Sequence, residues 1–161
     1  MLGSFAVGKT SLVQRFVYSI FSDDYLSTVG VKVSKRIVNL EDTVVNMMLW
    51  DLEGRDEYGD VNVSYLRGSA GFILVADGTR KNSLQAALDL RDIAWQAIPE
   101  APYVLLLNKY DLKEQWEIKD SDIAALQNEG MPVLLTSAKN GFNVEEAFSC
   151  LARKLANKNQ D

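Results

Sequence analysis

The sequence has no histidine, one cysteine and three prolines among its 161 residues. The absence of histidine excludes histidine-based catalytic triads, histidine metal clusters and the usual side chain that titrates near neutral pH. A single cysteine, Cys150, cannot form an internal disulfide, so we expect an intracellular, cytoplasmic protein. No run of apolar residues approaches the roughly 18 that a transmembrane helix needs, and the short start, Met1-Leu2, is not a signal peptide.

Positively charged residues are fewer than negatively charged ones, with 17 lysines and arginines against 22 aspartates and glutamates. The formal net charge is -5, which argues against nucleic acid as the main partner because nucleic-acid binding needs a basic face. The proportions of hydrophobic and charged residues, 47% and 24%, are those of an ordinary globular protein. We find no repeat, linker or low-complexity segment, so the sequence predicts one domain over residues 1–161.

The stretch from Gly3 to Thr10 fits the phosphate-binding pattern G-x-x-x-x-G-K-[ST]. Its glycines allow backbone N–H groups to surround phosphates. Lys9 can reach the β- and γ-phosphates, and the Thr10 hydroxyl can bind Mg²⁺. Residues 11–17 have helical spacing, which predicts a helix whose N-terminus favours anions. The alternative is a chance match in a turn that contains glycine.

Apolar runs and amphipathic segments alternate along the rest of the chain, which predicts an α/β fold: a mostly parallel six-stranded sheet with helices on both faces. Only Met1 and Leu2 precede the phosphate loop, where a buried strand is normally found. We therefore expect that the first strand is truncated or that upstream residues are missing. The segments predicted from the sequence are a loop over 21–30, an antiparallel hairpin of strands 31–39 and 44–49, a polar segment over 55–67, strands 71–77, 103–107 and 132–136, and helices 83–98, 121–128 and 143–157.

Polar residues follow three of the predicted strands. Asp51 follows the second strand of the hairpin, Asn108 and Asp111 follow strand 103–107, and residues 137–139 follow the last strand. Ligands of open α/β sheets bind beyond the carboxyl ends of the strands. Because these polar residues all fall at the edge where ligands bind, a chance match of the phosphate-loop pattern is excluded.

With these segments the chain resembles a Ras-superfamily small GTPase of the Rab-like branch, and the resemblance covers essentially all 161 residues. Five motifs carry it in order: Gly3 to Thr10, Thr28, Asp51-Leu52-Glu53-Gly54, Asn108-Lys109-Tyr110-Asp111 and Ser137-Ala138-Lys139. The resemblance implies a P-loop, Ras-like G domain that binds GTP or GDP with Mg²⁺, hydrolyses GTP and acts as a molecular switch.

The resemblance also implies how the base is recognised. Asp111 would accept hydrogen bonds from N1–H and the 2-amino group of guanine, a pattern that adenine lacks. Asn108 would tie loops together, Lys109 would lie over the base, and Ala138 would offer its N–H to the guanine oxygen. The full implied nucleotide-binding set is Phe5, Ala6, Val7, Gly8, Lys9, Thr10, Ser11, Phe21, Asn108, Lys109, Asp111, Ser137, Ala138 and Lys139. Phe21 is equally suited to simple core packing.

The implied Mg²⁺ ligands are Thr10, Thr28 and Asp51, the last through water. Thr28 and Gly54 would contact the γ-phosphate and release when it is lost, as in other nucleotide switches. The implied catalytic residues are Lys9, Thr28, Gly54 and Arg55. Effectors, exchange factors and activating proteins would bind the switch regions at about 21–31 and 52–67. The hairpin residues Val44, Val45, Met47 and Trp50 would lie nearby, or would simply pack in the core.

Three residues depart from the family pattern. Arg55 occupies the position of the glutamine that orients the attacking water, and arginine has no acceptor for that role. Phe5 would crowd the γ-phosphate and obstruct an arginine supplied by a partner, and Glu53 adds negative charge there. We therefore expect slow hydrolysis. The contrary hypothesis is that Arg55 itself supplies the stabilising charge.

Two other functions remain as alternatives. The first is a GTP-binding interaction module, or a regulatory domain of a larger protein, that does not hydrolyse the nucleotide. The second, an adenine-nucleotide ATPase, is disfavoured by Asp111 and by residues 137–139. Residues 154–161 contain no cysteine, so we expect no lipid anchor encoded in this chain.

Overall fold

The computed structural model describes residues 1–22, 29–52 and 63–158. Thr28, Glu53, Gly54 and Arg55 lie outside these residues. The strands are β1 (Val31–Asn39), β2 (Val44–Leu52), β3 (Phe72–Asp77), β4 (Tyr103–Asn108) and β5 (Val133–Leu135). The helices are α1 (Lys9–Tyr18), α2 (Lys81–Ala97), α3 (Asp120–Asn128) and α4 (Val144–Lys158), with 3₁₀ turns at Val63–Tyr65 and Tyr110–Gln115. The predicted α/β class and the predicted order of elements are confirmed.

The described strands form two sheets. β1 and β2 make an antiparallel hairpin, and β3, β4 and β5 make a parallel sheet in that spatial order. The hairpin register pairs Val31 with Leu52 at its open end. The second strand was predicted to end at Leu49, but this pairing extends it to Leu52, so Asp51 is fixed within regular structure.

Met1 and Leu2 connect the two sheets. Leu2 forms a parallel bridge with Leu74; its N–H donates to the carbonyl of Ile73 and its carbonyl accepts from Val75, both at 2.8 Å. The amino group of Met1 donates to the carbonyl of Trp50 at 2.7 Å. This bridge occupies the place of the predicted first strand, and a groove of about 600 Å³ lies beside it between β2 and β3.

The parallel sheet is covered on both faces, as its continuous apolar strands predict. Along β3, Ile73 and Val75 face the core under α1 and α4, whereas Leu74 faces the core under α2 and α3. The rings of Phe16 and Phe148 stack with centroids 4.0 Å apart and join α1 to α4. This packing fixes α1, and with it the phosphate loop, against the sheet.

The hairpin has one buried and one exposed face. Met47 and Leu49 belong to the core, whereas Val44, Met48 and Trp50 are exposed. Of the hairpin residues considered as a partner surface, Val44 and Trp50 are therefore accessible, Val45 is partly buried against the core and Met47 is buried. Within the described residues, we find no helix that is both long and apolar enough to cross a bilayer.

Candidate nucleotide site

The phosphate loop enters α1 through Gly8, which has a left-handed backbone with φ of 99°. A Cβ atom at Gly8 would lie 2.3 Å from Nδ2 of Asn108, so only glycine fits without displacing that side chain. At the other end of the loop, a Cβ atom at Gly3 would lie 2.4 Å from the carbonyl oxygen of Val75. The two glycines of the motif thus allow the loop to pack closely against the ends of β3 and β4.

Lys9 lies inside the phosphate loop and is only 6% exposed. Its Nζ donates to the carbonyls of Gly3 and Ser4, at 2.8 and 2.9 Å. Burial lowers the pKa of Lys9 to about 8, although the nearby Asp51 carboxylate acts to raise it. A cation held by neutral carbonyls and partly desolvated is well suited to bind a more strongly negative group.

Thr10 and Asp51 form the part of the site suited to a metal ion. The hydroxyl of Thr10, at the start of α1, donates to Oδ2 of Asp51 at 2.6 Å, and Asp51 is buried at the end of β2. Hydroxyl and carboxylate oxygens are ligands that Mg²⁺ prefers. The ion also keeps several water ligands and binds phosphate oxygens of the substrate. The part of the chain that the structure describes contains no group of three or more acidic, cysteine or histidine side chains placed to hold a metal ion.

Asn108, at the end of β4, joins two loops. Its Nδ2 donates to the carbonyl of Val7 at 3.0 Å. Its Oδ1 accepts from the N–H of Ala138 at 3.2 Å and from the Thr136 hydroxyl at 3.4 Å. Asn108 is 1% exposed, so these hydrogen bonds are shielded from water. One amide side chain thereby fixes residues 136–138 relative to the phosphate loop.

Asp111 is exposed and oriented by Ser137. The Ser137 hydroxyl donates to Oδ1 of Asp111 at 2.5 Å and accepts from the N–H of Asn140 at 3.3 Å. The preceding Tyr110 N–H donates to the carbonyl of Thr136. These hydrogen bonds connect the loops after β4 and β5, so an acidic side chain with a fixed direction stands at the carboxyl edge of the sheet.

The remaining predicted residues surround these groups. Ala6 has a left-handed backbone, Ser11 follows Thr10 in the first turn of α1, and Lys139 is exposed. Phe21 is half-buried against the core beside α1. Phe5 is 40% exposed. The structure thus brings together the residues predicted in the phosphate loop and in the two loops after β4 and β5.

Sequence reasoning missed several residues that shape the site. The guanidinium of Arg15 donates from Nε to the carbonyl of Ala138 at 2.8 Å and from a terminal nitrogen to Lys139, and it lies 5.9 Å from the Phe21 ring. Trp116 donates from its indole N–H to the carbonyl of Lys109 at 3.0 Å. No motif marks these residues, because each bonds to a main-chain carbonyl: Arg15 across 123 positions of sequence and Trp116 across seven.

The described site combines a phosphate-type loop, a buried lysine and an acid held beside a second loop. Comparison with known proteins gives the same assignment, because the Ras family profile matches residues 1–157. The chain belongs to the Ras family. This assignment supports a GTP-binding switch and a GTP hydrolase, since Ras and Rab family members are GTPases.

Individual relatives place the chain near the Rab branch of the Ras family. It is 34% identical to "Ras-related protein Rab-7b" of Bos taurus, over 96% of this chain and 79% of the relative. It is 37% identical to "Ypt/Rab-type GTPase ypt7" of Schizosaccharomyces pombe, over 100% of this chain and 82% of the relative. It is 35% identical to "Ras-related protein Rab-4" of Dictyostelium discoideum, over 98% of this chain and 78% of the relative. The predicted Rab-like resemblance is confirmed.

Proposed function

We propose that this protein is a guanine-nucleotide switch that binds GTP and GDP with Mg²⁺ and hydrolyses GTP slowly. The observation that carries the proposal is the position of Asn108, whose amide contacts both the phosphate loop at Val7 and the loop after β5 at Ala138. Such an arrangement holds a phosphate cradle and a base-binding loop at a fixed separation, as a nucleotide requires.

In this proposal, the phosphates lie over the N-terminus of α1. Lys9 exchanges the carbonyls of Gly3 and Ser4 for phosphate oxygens, which carry full negative charge and make stronger hydrogen bonds. Thr10 and Asp51 would hold Mg²⁺, which supplies charge neutralisation for the phosphates. Thr28 would complete that set, although it lies outside the described residues.

The base lies beside Asp111 in this proposal. Ser137 holds Oδ1 of Asp111, so the carboxylate has a defined plane when it accepts from N1–H and the 2-amino group of guanine. Adenine has no donor pair in that position and would leave the carboxylate poorly solvated, which costs about 1–3 kcal/mol or more. Asp111 is therefore the specificity-determining residue.

Replacement Asp111→Asn tests this role. The amide offers one acceptor and one donor, which match N1–H and the 2-carbonyl of xanthine. We expect preference to move from GDP to xanthosine diphosphate, measured by competition against a fluorescent nucleotide. The matched control is Asp92→Asn, an exposed position on α2. If Asp111→Asn weakened both nucleotides equally, base recognition by Asp111 would be wrong.

The slow rate is inferred from three residues that depart from the family pattern, of which only Phe5 lies within the described residues. Arg55 lacks the acceptor that orients the attacking water, and Glu53 adds negative charge. Phe5 is exposed at the loop, where its ring crowds the entry of an arginine supplied by a partner. We expect an intrinsic rate at or below roughly 10⁻⁴ per second.

Single-turnover hydrolysis of GTP loaded with Mg²⁺ tests the rate, with nucleotides separated by chromatography. Under this proposal Arg55→Gln raises the rate, whereas a rate lowered by that change would show that Arg55 itself stabilises the transition state. Arg153→Gln, at an exposed position on α4, is the control. GTP that stays intact for a day in the unmodified protein and in Arg55→Gln would instead favour the non-hydrolysing interaction module.

Partner proteins would bind the switch regions at about 21–31 and 52–67. In the sequence the hairpin lies between these segments, and its exposed face carries apolar side chains, among them Val33, Met48 and Trp50. Effectors, exchange factors and activating proteins are therefore expected to contact this edge of the domain. Binding that differs between GTP-loaded and GDP-loaded protein would support the switch.

A further inference from the structure

Asp77, at the end of β3, is a buried acid that belongs to none of the motifs. It is 1% exposed, yet its Oδ2 lies 2.6 Å from Nζ of Lys109 and 3.1 Å from Nε of Arg80. Burial acts to raise the pKa of Asp77, but hydrogen bonds from Lys109 and Thr79 outweigh it and hold the pKa below its ordinary value. The carboxylate is therefore charged and lies between two cations.

The two cations belong to different parts of the site. Lys109 follows Asn108 in the loop after β4, where the proposed function places the base. Arg80 precedes α2 and donates from a terminal nitrogen to the carbonyl of Phe5 in the phosphate loop, at 2.7 Å. A chain of contacts thus runs from Lys109 through Asp77 and Arg80 to Phe5.

The other carboxylate oxygen of Asp77 has a separate role. Oδ1 accepts from the N–H and the hydroxyl of Thr79, at 2.9 and 2.7 Å. The main chain of Asp77 is held by Ser83, whose hydroxyl accepts from the Asp77 N–H at 2.8 Å. Oδ1 therefore anchors the turn before α2, and Oδ2 contacts the cations.

The ion pair also changes what Lys109 offers to a ligand. Its ammonium is directed at Asp77, and its backbone is held in the left-handed region with φ of 67°. The Trp116 indole bonds to its carbonyl. With the charge neutralised and the main chain fixed, the alkyl stem of Lys109 is the part that can pack on a planar base.

We propose that Asp77 is a positioning residue that fixes the stem of Lys109 against the base and, through Arg80, the Phe5 carbonyl of the phosphate loop. This inference rests on the proposed function. It provides a second connection between the base loop and the phosphate loop, made by charged groups and independent of the Asn108 amide.

The test is the dissociation rate of a fluorescent GDP from Asp77→Asn. An amide oxygen in place of Oδ1 keeps the Thr79 hydrogen bonds, whereas an amide nitrogen in place of Oδ2 faces two donors. We expect dissociation to be faster by roughly tenfold or more, as for loss of a charge-assisted hydrogen bond. The control is Asp92→Asn, which removes an exposed carboxylate 2.8 Å from Arg91 and should leave dissociation unchanged.

A double-mutant cycle separates positioning from general destabilisation. In a Lys109→Met background, which keeps most of the alkyl stem, Asp77 no longer fixes the lysine. The effect of Asp77→Asn on dissociation should then shrink several-fold, whereas a purely structural effect would stay the same in both backgrounds. If Asp77→Asn does not fold, Arg80→Met and Lys109→Met are combined instead. Their effects on dissociation should be non-additive because both cations share Oδ2, and additive effects would overturn the inference.

The outcomes also separate the two proposals. If the unmodified protein does not retain guanine nucleotide, both the proposed function and this inference are wrong. If it retains GDP, and Asp77→Asn behaves like Asp92→Asn, only the role of Asp77 is wrong.

Discussion

Arg15 on α1 donates from Nε to the main-chain carbonyl of Ala138 at 2.8 Å, across 123 positions of sequence. The helix that begins at the phosphate loop thereby holds the loop proposed to bind guanine. The contact is made to a carbonyl, so the identity of residue 138 does not determine it. Base binding and phosphate binding consequently share α1 as a common support.

Replacement Arg15→Ala should weaken nucleotide retention. Loss of the guanidinium removes hydrogen bonds to the carbonyls of Ala138 and Lys139, and we expect GDP to dissociate about tenfold faster. Arg15→Lys, which lacks the planar fork, should give an intermediate rate. Arg153→Ala on α4 is the control, and equal rates for Arg15→Ala and this control would refute the support role.

Replacement Asn108→Ala should destabilise the fold as well as the site. It leaves buried hydrogen-bonding groups of Val7 and Ala138 without the amide, and we expect a loss of about 2–4 kcal/mol in the free energy of unfolding. Urea denaturation of nucleotide-free protein measures the loss. Asn46→Ala, at an exposed position of β2, should change this free energy by less than about 0.5 kcal/mol.

Alanine substitution at two glycines with similar backbone angles distinguishes the cost of backbone strain from the cost of a steric clash. Gly68 has φ of 81° and nothing within 4 Å of an added Cβ atom, whereas the same atom at Gly8 would meet Asn108. Gly68→Ala should cost about 1–2 kcal/mol of stability from backbone strain alone and leave nucleotide binding unchanged. Gly8→Ala should cost more and abolish tight binding. Equal stabilities and affinities would show that the predicted collision is relieved.

The pKa of Lys9 predicts how stability depends on pH. Since burial lowers this pKa from 10.5 to about 8, the unfolded chain binds more protons between these values. The ionisation of Lys9 therefore makes nucleotide-free protein more stable as pH rises from about 8 to 10.5, by at most about 3 kcal/mol. Comparison with Lys9→Met isolates this contribution in denaturation curves. If the unmodified protein lost stability relative to Lys9→Met as pH rises through this range, the prediction would be wrong.

The same pKa predicts proton uptake when nucleotide binds. Phosphate oxygens favour the charged form of Lys9 and raise its pKa, so binding takes up a proton at and above about pH 8. GDP affinity should fall as pH rises through this region. Calorimetry measures this proton uptake when the same titration is run in two buffers of different ionisation enthalpy. A suitable pH is about 8.5, roughly half a unit above the pKa of Lys9. Lys9→Met, if it still binds, should show none from this group.

Much of the fold was predictable because local pattern and tertiary environment agree. The continuous apolar sequence of β3 matches a strand buried on both faces, and the helical spacing of residues 83–98 matches α2 with a shift of two residues at its start. The end of β2 was not predictable, because Asp51 is polar and its strand geometry comes from pairing with β1 at Lys32.

The site was predictable only where motifs mark it. The glycine and lysine of the phosphate loop have a required order in sequence, so spacing alone located them. No fixed spacing in the sequence links Asp77 or Arg15 to the site, because their contacts depend on how α1, α2 and the sheet pack. An aspartate after an apolar strand is equally compatible with a solvated turn, and its burial between Lys109 and Arg80 appears only in three dimensions.

The contact between Trp116 and Lys109 has a consequence for the fluorescence of the protein. Its indole N–H bonds to the Lys109 carbonyl, and Lys113 Nζ lies 4.5 Å from the ring. Trp50 lies on the exposed hairpin face and Trp95 lies on α2, bonded to the carbonyl of Ala101. We therefore expect the emission of Trp116 to respond to movement of the base loop, so that a protein with phenylalanine at positions 50 and 95 would signal nucleotide exchange without any added dye.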